Sequence, residues 1–153
     1  SIHPDPEPDR KARAMRFDLP EHKKLVHEMT IPIRWGDMDA MGHVNNAVWV
    51  QWMESIATAH WEADAAPEHV AAYAWVVTRH EIDYRGNIRL GESVTAETVI
   101  HEGPAGPRFD RHFEFRNAAG KAIVSAKTTW VMVDRQTGRV LRVPPEVSAP
   151  FVT

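Results

Sequence analysis

Between Asn46 and Asp64 the chain carries no proline or glycine, and Val48, Trp49, Trp52, Met53, Ile56, Ala59, His60 and Ala63 recur at helical spacing. These positions cover well over half of a helix circumference, which predicts one long helix buried on most sides, with Pro67 marking its exit. Everything around it alternates with a period of two. Ile31 and Ile33 place a first strand in Met29–Trp35. Trp75–Arg85 reads as a second strand, ending at Gly86-Asn87. Glu92–Glu102 alternates Val94, Ala96, Thr98 and Ile100 before Gly103-Pro104. Arg108–Asn117 alternates Phe109, Arg111, Phe113 and Phe115, and Ala122–Asp134 alternates Ala122, Val124, Ala126, Thr128, Trp130 and Met132.

The order is strand, long helix, then four strands joined by short turns. Short connections predict a meander of antiparallel neighbours. The fold class is therefore α+β: an antiparallel sheet of five or slightly more strands curled around one long central helix. Residues 1–28, with Pro4, Pro6, Pro8 and Pro20 among many charges, read as a mobile N-terminal arm. Residues 29–143 form the single domain, and 144–153, opened by Pro144-Pro145, a C-terminal tail.

Composition narrows the field by exclusion. A chain of 153 residues, 43% hydrophobic and 25% charged, suits one globular domain. The net charge of −3 comes without any Lys/Arg block, so nucleic acid is not an expected partner. The absence of cysteine rules out disulfides and thiolate chemistry and agrees with a cytoplasmic location. No apolar run approaches the ~20 residues of a membrane helix, so no membrane partner is expected. The nine histidines lack metal-ligand spacing, His80-Glu81 makes no HExxH pair, and the glycines form no dinucleotide or phosphate loop.

The candidate chemistry lies just before the helix, in Asp37-Met38-Asp39-Ala40-Met41-Gly42-His43-Val44-Asn45-Asn46. Two carboxylates sit on a glycine-containing loop that enters a helix start. The first helical turn has N–H groups without intrahelical partners and a dipole that favours negative charge. A carboxylate facing such N–H groups can attack or activate water while they hold an oxyanion, the layout of acyl transfer without serine or cysteine. Asn45 is a good N-cap, which makes Asn46 the first helical residue with a free N–H. Asp39 and Asp37 can equally cap turns, Asp37 by bonding the loop. His43 titrates near neutral pH but suits loop packing as well. Glu54, on a largely apolar helix, either pairs or reaches the site. Trp49, Trp52 and Trp61 suit core or pocket wall. Arg79, Arg85, Arg89 and Arg108 have the geometry to meet phosphates, with solvated strand positions the plainer reading.

These words resemble the hotdog-fold acyl-CoA thioesterases of the 4-hydroxybenzoyl-CoA thioesterase family. Arg34-Trp35-Gly36-Asp37-Met38-Asp39 resembles the family's first strand and its Asp-x-Asp ending, and Gly42-His43-Val44-Asn45-Asn46-Ala47 the loop of its GHVNN-type branch. Glu54 falls where that branch often has an acidic residue, and Ile82-Asp83-Tyr84-Arg85 with Leu90-Gly91-Glu92 looks like the second strand and turn. The resemblance covers about residues 29–135. It implies a hotdog fold and hydrolysis of an acyl thioester, borne by CoA or a carrier protein. It makes Asp39 the catalytic carboxylate and the Asn46 N–H, seven residues on, the group that polarises the carbonyl. Gly42, His43 and Asn45 become supporting loop residues, and Asp37 and Glu54 lie behind them.

No cofactor is expected, because a thioester supplies its own leaving group. Open sheet edges predict a homodimer or homotetramer. The GHVNN-like word departs from the founding 4-hydroxybenzoyl branch and leaves the acyl group open. Plant acyl-carrier-protein thioesterases carry a similar word, but on two hotdog domains for which this chain has no room. Two rival readings remain: a hotdog enoyl-thioester hydratase or dehydratase using Asp39 and His43, and a non-catalytic acyl-thioester binder.

Overall fold

The computed structural model describes residues 26–152, so the arm expected over 1–28 lies almost wholly outside the described residues. Its last two positions belong to strand β1, His27–Pro32. A single 3-10 turn at Trp35–Asp37 follows, then helix α1 at Asn46–Asp64 with the bounds its spacing predicts. A short helix α2, Pro67–Ala72, leads into β2, Tyr73–Tyr84. The remaining elements are β3, Ser93–Val99; β4, Arg108–Arg116; β5, Ala122–Asp134; and a one-turn helix α3, Pro145–Ser148.

One five-stranded antiparallel sheet results, in the order β1-β3-β4-β5-β2. The expected meander therefore holds for β3, β4 and β5 but not for β2, which pairs with β5 on the far side. Backbone bonds explain the difference. Arg85 N–H and Gly86 N–H both donate to Ile123 O, at 2.8 and 3.0 Å, and hold the end of β2 on β5. At the other end of the connection, Ile33 N–H donates to Glu92 O at 3.0 Å, beside β1. Residues 85–92 thus cross the end of the sheet instead of turning a hairpin. Gly86 permits the close approach, since a Cβ there would lie 3.1 Å from Ile123 Cγ2.

Helix α1 lays Val48, Trp49, Met53, Ile56 and Ala57 on the inner face of the sheet, against Val94, Ala96, Phe113, Phe115 and Val124. Trp49 is wholly buried and meets Phe115 edge-on at 5.1 Å. The helix is less enclosed than its sequence predicts: Ala47, Gln51, Glu54, Ser55, Thr58 and Glu62 remain exposed along one side of the chain. Pro67 is an N-terminal residue of α2 as well as the exit from α1, since proline lacks only an N–H that a first turn leaves unpaired.

A second core gathers Trp61, Ile100, Phe109, Met132 and Val143 around the C-terminal segment. Val147 and Phe151 are buried there, so residues 144–152 form part of the packed body and not a tail. Phe151 stacks on Trp61 at 5.7 Å, a contact that two isolated apolar residues do not announce in sequence.

Candidate active site

The loop that enters α1 is a small folded unit built on its two aspartates. Asp37 closes the 3-10 turn, its Oδ2 accepting Arg34 N–H at 2.8 Å, while its carbonyl accepts Asn45 N–H at 2.8 Å. Asp39 N–H donates to His43 O at 2.7 Å, and Asp39 Oδ1 accepts Met41 N–H and His43 N–H at 2.8 and 3.0 Å. The bridge between Met38 and Val44 makes residues 38–44 a tight hairpin. Gly42 takes φ 76° at its tip, the left-handed region in which a side chain is strained.

The helix start follows. Asn45 caps α1, its side chain accepting Ala47 N–H at 3.0 Å, and Asn45 O accepts Val48 N–H at 2.9 Å. Asn46 N–H has no acceptor among the described residues. Asp39 Oδ2 likewise has no donor among them. The hairpin therefore brings Asp37, Asp39, Gly42, His43, Asn45 and Asn46 into one loop. Asp39, His43, Asn45 and Asn46 are exposed, and Asp37 is half-buried.

Glu54 is not part of that group. It lies eight residues into α1, about 12 Å along the axis from Asn46 at 1.5 Å per residue, on the exposed side of the helix. Its carboxylate is solvated, so the cost expected for a charge on a buried helix does not arise. Arg79, Arg85, Arg89 and Arg108 are all exposed, and the first two pair with Glu81 and Asp83 at 3.1 and 3.5 Å.

Asn87 is the residue that sequence reasoning missed. Its Oδ1 accepts Val44 N–H at 2.9 Å as well as Ile88 N–H at 2.8 Å, fastening the hairpin to the crossing connection. Gly86-Asn87 signals a turn, and nothing in that signal points to a partner 43 positions earlier. Flanking the loop, Trp35 and Met41 are 80% and 78% exposed, unusual for large apolar side chains.

Among the described residues no group of three or more His, Asp or Glu is arranged to hold a metal ion. No helix among them is long and apolar enough to cross a membrane.

Solved structures share this architecture. A thioesterase from Thermus thermophilus, complexed with coenzyme A and zinc, superposes with a TM-score of 0.70 at 22% identity, over 81% of this chain and 95% of that one. A 1,4-dihydroxy-2-naphthoyl-CoA thioesterase from Synechocystis gives 0.70 at 14% identity, covering 82% and 95%. A Lactobacillus plantarum protein provisionally described as an oleoyl thioesterase gives 0.73 at 23% identity; the match covers 84% of this chain but only 52% of that longer one. The sequence matches the family described as Thioesterase-like superfamily over residues 33–151, which include the aspartate hairpin, the helix and the buried C-terminal segment. The chain belongs to the Thioesterase-like superfamily and has the hotdog fold.

Proposed function

We propose that the chain hydrolyses an acyl-CoA thioester at Asp39, with the Asn46 N–H as the oxyanion donor. The observation that carries this reading is the pairing of two uncommitted groups in one loop: Asp39 Oδ2 without a donor and Asn46 N–H without an acceptor among the described residues. Asp39 Oδ1 is tied down by Met41 and His43 N–H groups, so the carboxylate presents its other oxygen in a fixed direction. Asn45 holds the helix start rigid, and the helix dipole adds positive potential where the carbonyl oxygen gains charge.

Two routes share this geometry. In one, Asp39 Oδ2 attacks the carbonyl carbon, the C–S bond breaks, and water cleaves the resulting mixed anhydride. In the other, Asp39 takes a proton from water as its oxygen attacks, and the thiolate leaves and is protonated. A single turnover in 18O-labelled water separates direct attack by water from an anhydride hydrolysed at its aspartyl carbon. Label in Asp39 with an unlabelled first product marks the anhydride cleaved at the aspartyl carbon, whereas direct attack always labels the product acid and never the enzyme.

CoA is the proposed carrier, by analogy with the Thermus enzyme and with a Staphylococcus aureus protein of the same fold solved with CoA. The exposed side of α1 and the edges that β1 and β2 leave open among the described residues support assembly into a homodimer or dimer of dimers, with the loop near the partner chain. Thiol release measured across short, long and aromatic acyl-CoAs tests the reaction. Binding without thiol release across the whole series refutes it, and water addition to an enoyl-CoA in place of thiol release assigns the chain to a hydratase.

A further inference from the structure

Midway along the inner face of β4, between two phenylalanines, stands an arginine. The alternation Phe109, Arg111, Phe113 points Arg111 inward, and the side chain is 6% exposed. Its Nη1 is fully used: it donates to His60 Nδ1 at 2.7 Å and to Thr98 Oγ1 at 3.1 Å. His60 Nε2 lies 3.1 Å from Asp64 Oδ2, so the imidazole carries its proton on Nε2 and offers Arg111 a lone pair but no charge. Burial and the neighbouring Arg111 and His27 push the His60 pKa down to about 3, which keeps the ring neutral. Burial also lowers the Arg111 pKa to about 9, which still leaves it cationic at neutral pH.

A buried guanidinium normally has a carboxylate beside it, because an unpaired charge is costly to remove from water. Among the described residues none pairs with Arg111; the nearest acid on its hydrogen-bond chain, Asp64, is reached only through the neutral imidazole. The Nε and Nη2 groups have no acceptor among them either. Those two form the edge that grips a carboxylate with two parallel bonds.

Arg111 borders a cavity of about 180 Å³ whose other walls include Trp61, Trp75, Phe109, Trp130 and Phe151. The interior thus supplies apolar surface, and the Nε and Nη2 groups of Arg111 supply the N–H donors. The polar side chains that also border it, Thr58, Glu62 and Arg135, are exposed, and Arg135 Nε is committed to the Val70 and Tyr73 carbonyls at 3.1 and 3.0 Å. Along α1 the cavity begins at Ala57, eleven residues or about 16 Å beyond Asn46, so within one subunit it is separate from the aspartate hairpin.

We propose that this cavity binds a small organic carboxylate: an apolar body about one ring in size against the tryptophans and phenylalanines, with its carboxylate on the Nε–Nη2 edge of Arg111. The size follows from the volume, since a cavity of about 150 Å³ suffices for benzene. The carboxylate belongs either to a free acid or to the far end of an acyl group still joined to its thiol. The proposal stands apart from the assignment of Asp39 and Asn46.

Calorimetric titration of the full chain tests it, with fluorescence of the lining tryptophans as a second readout. Phenylacetate is expected to bind at least tenfold more tightly than the isosteric phenylacetamide. Arg111→Gln should abolish that preference, and Arg135→Gln should leave it intact. Ala74→Leu, which fills the cavity without touching the guanidinium, should weaken both ligands. If Arg111→Gln fails to fold, the comparison of acid with amide and the Ala74→Leu variant still decide. Glutaryl-CoA serves as the second probe: binding of it but not of free acids, lost in Ala74→Leu, assigns the carboxylate to the end of an acyl chain. Failure of all the acids to bind, equal affinity for acid and amide, or loss of binding through Arg135 instead of Arg111 overturns the proposal.

Discussion

Asp37 and Asp39 differ by two positions and share a hairpin, so exchanging each for asparagine separates a structural carboxylate from a reactive one. Asp39→Asn keeps a side-chain oxygen able to accept the Met41 and His43 N–H bonds. What it loses is charge. Bonds to a charged acceptor are worth about 1 kcal/mol more than neutral ones, and solvent screening trims that at an exposed residue, so the two together cost at most about 2 kcal/mol. For a domain of this size that corresponds to a melting shift of several degrees. The reaction suffers far more, because an amide neither attacks a thioester nor deprotonates water. A loss of at least ~10² in kcat is expected, about 2.7 kcal/mol of barrier, with KM unchanged or lower. Asp37→Asn gives up charge in one bond, from Arg34 N–H, and should lose less than about tenfold in rate through a slackened loop. Steady-state thiol release well below the melting temperature reads both variants, with thermal melts as the folding control. An inactive Asp37→Asn beside a folded, active Asp39→Asn refutes the assignment and moves the site to Asp37 or His43.

Asn45→Ala removes the α1 cap and should cost about 1 kcal/mol, seen as a melting temperature a few degrees lower; an unchanged melt means the bond to Ala47 N–H is idle. Truncation after Val143 strips Val147 and Phe151 from the second core at roughly 1.5–3 kcal/mol each, so denaturant titration should show a markedly earlier midpoint, and none if the segment is dispensable. Stability should also fall with pH below about 6.5. His60, held down to about 3, and His112, held down to about 4 by burial and then by His101 and Lys127, stay neutral in the fold while the unfolded chain takes up protons. The more buried His60 contributes on the order of 1 kcal/mol per pH unit between those limits, so chemical denaturation at pH 7 and pH 5 should differ by that order, and a flat profile contradicts the buried neutral ring. Asn87→Ala leaves Val44 N–H without its acceptor and should lower turnover several-fold while the global melt shifts by only about 1 kcal/mol; unaltered turnover shows that the hairpin holds without this tie.

The long helix was legible to the residue because nothing inside it opposes helix formation and Asn45 stops it cleanly at its start. The strand bodies were legible from alternation, and β5 matches its predicted span. Connectivity was not. A short link says how far a chain travels, not which edge it reaches, so the passage from β2 to β3 read as a hairpin although Gly86 and Ile123 turn it aside. The aspartate hairpin was visible because its residues are contiguous. Asn87, the His60–Arg111 bond and the seat of Phe151 were invisible for the opposite reason: each joins residues distant in sequence, and alternation places Arg111 on the inner face without naming what it meets.

The strand order has a consequence for how the chain is made. Both edge strands are synthesised before their partners: His27 waits for Thr98, and Tyr73 waits for Asp134. Helix α1 emerges between them, with Trp49, Met53 and Ile56 having no sheet to cover. Pairing so distant in sequence is slow to form, since loop closure must precede any gain from contact. During translation the N-terminal half is therefore an exposed apolar helix flanked by two unpaired strands, the state most prone to stray association. A ribosome paused before β5 would hold a chain that has already made its aspartate hairpin but has no folded body to carry it.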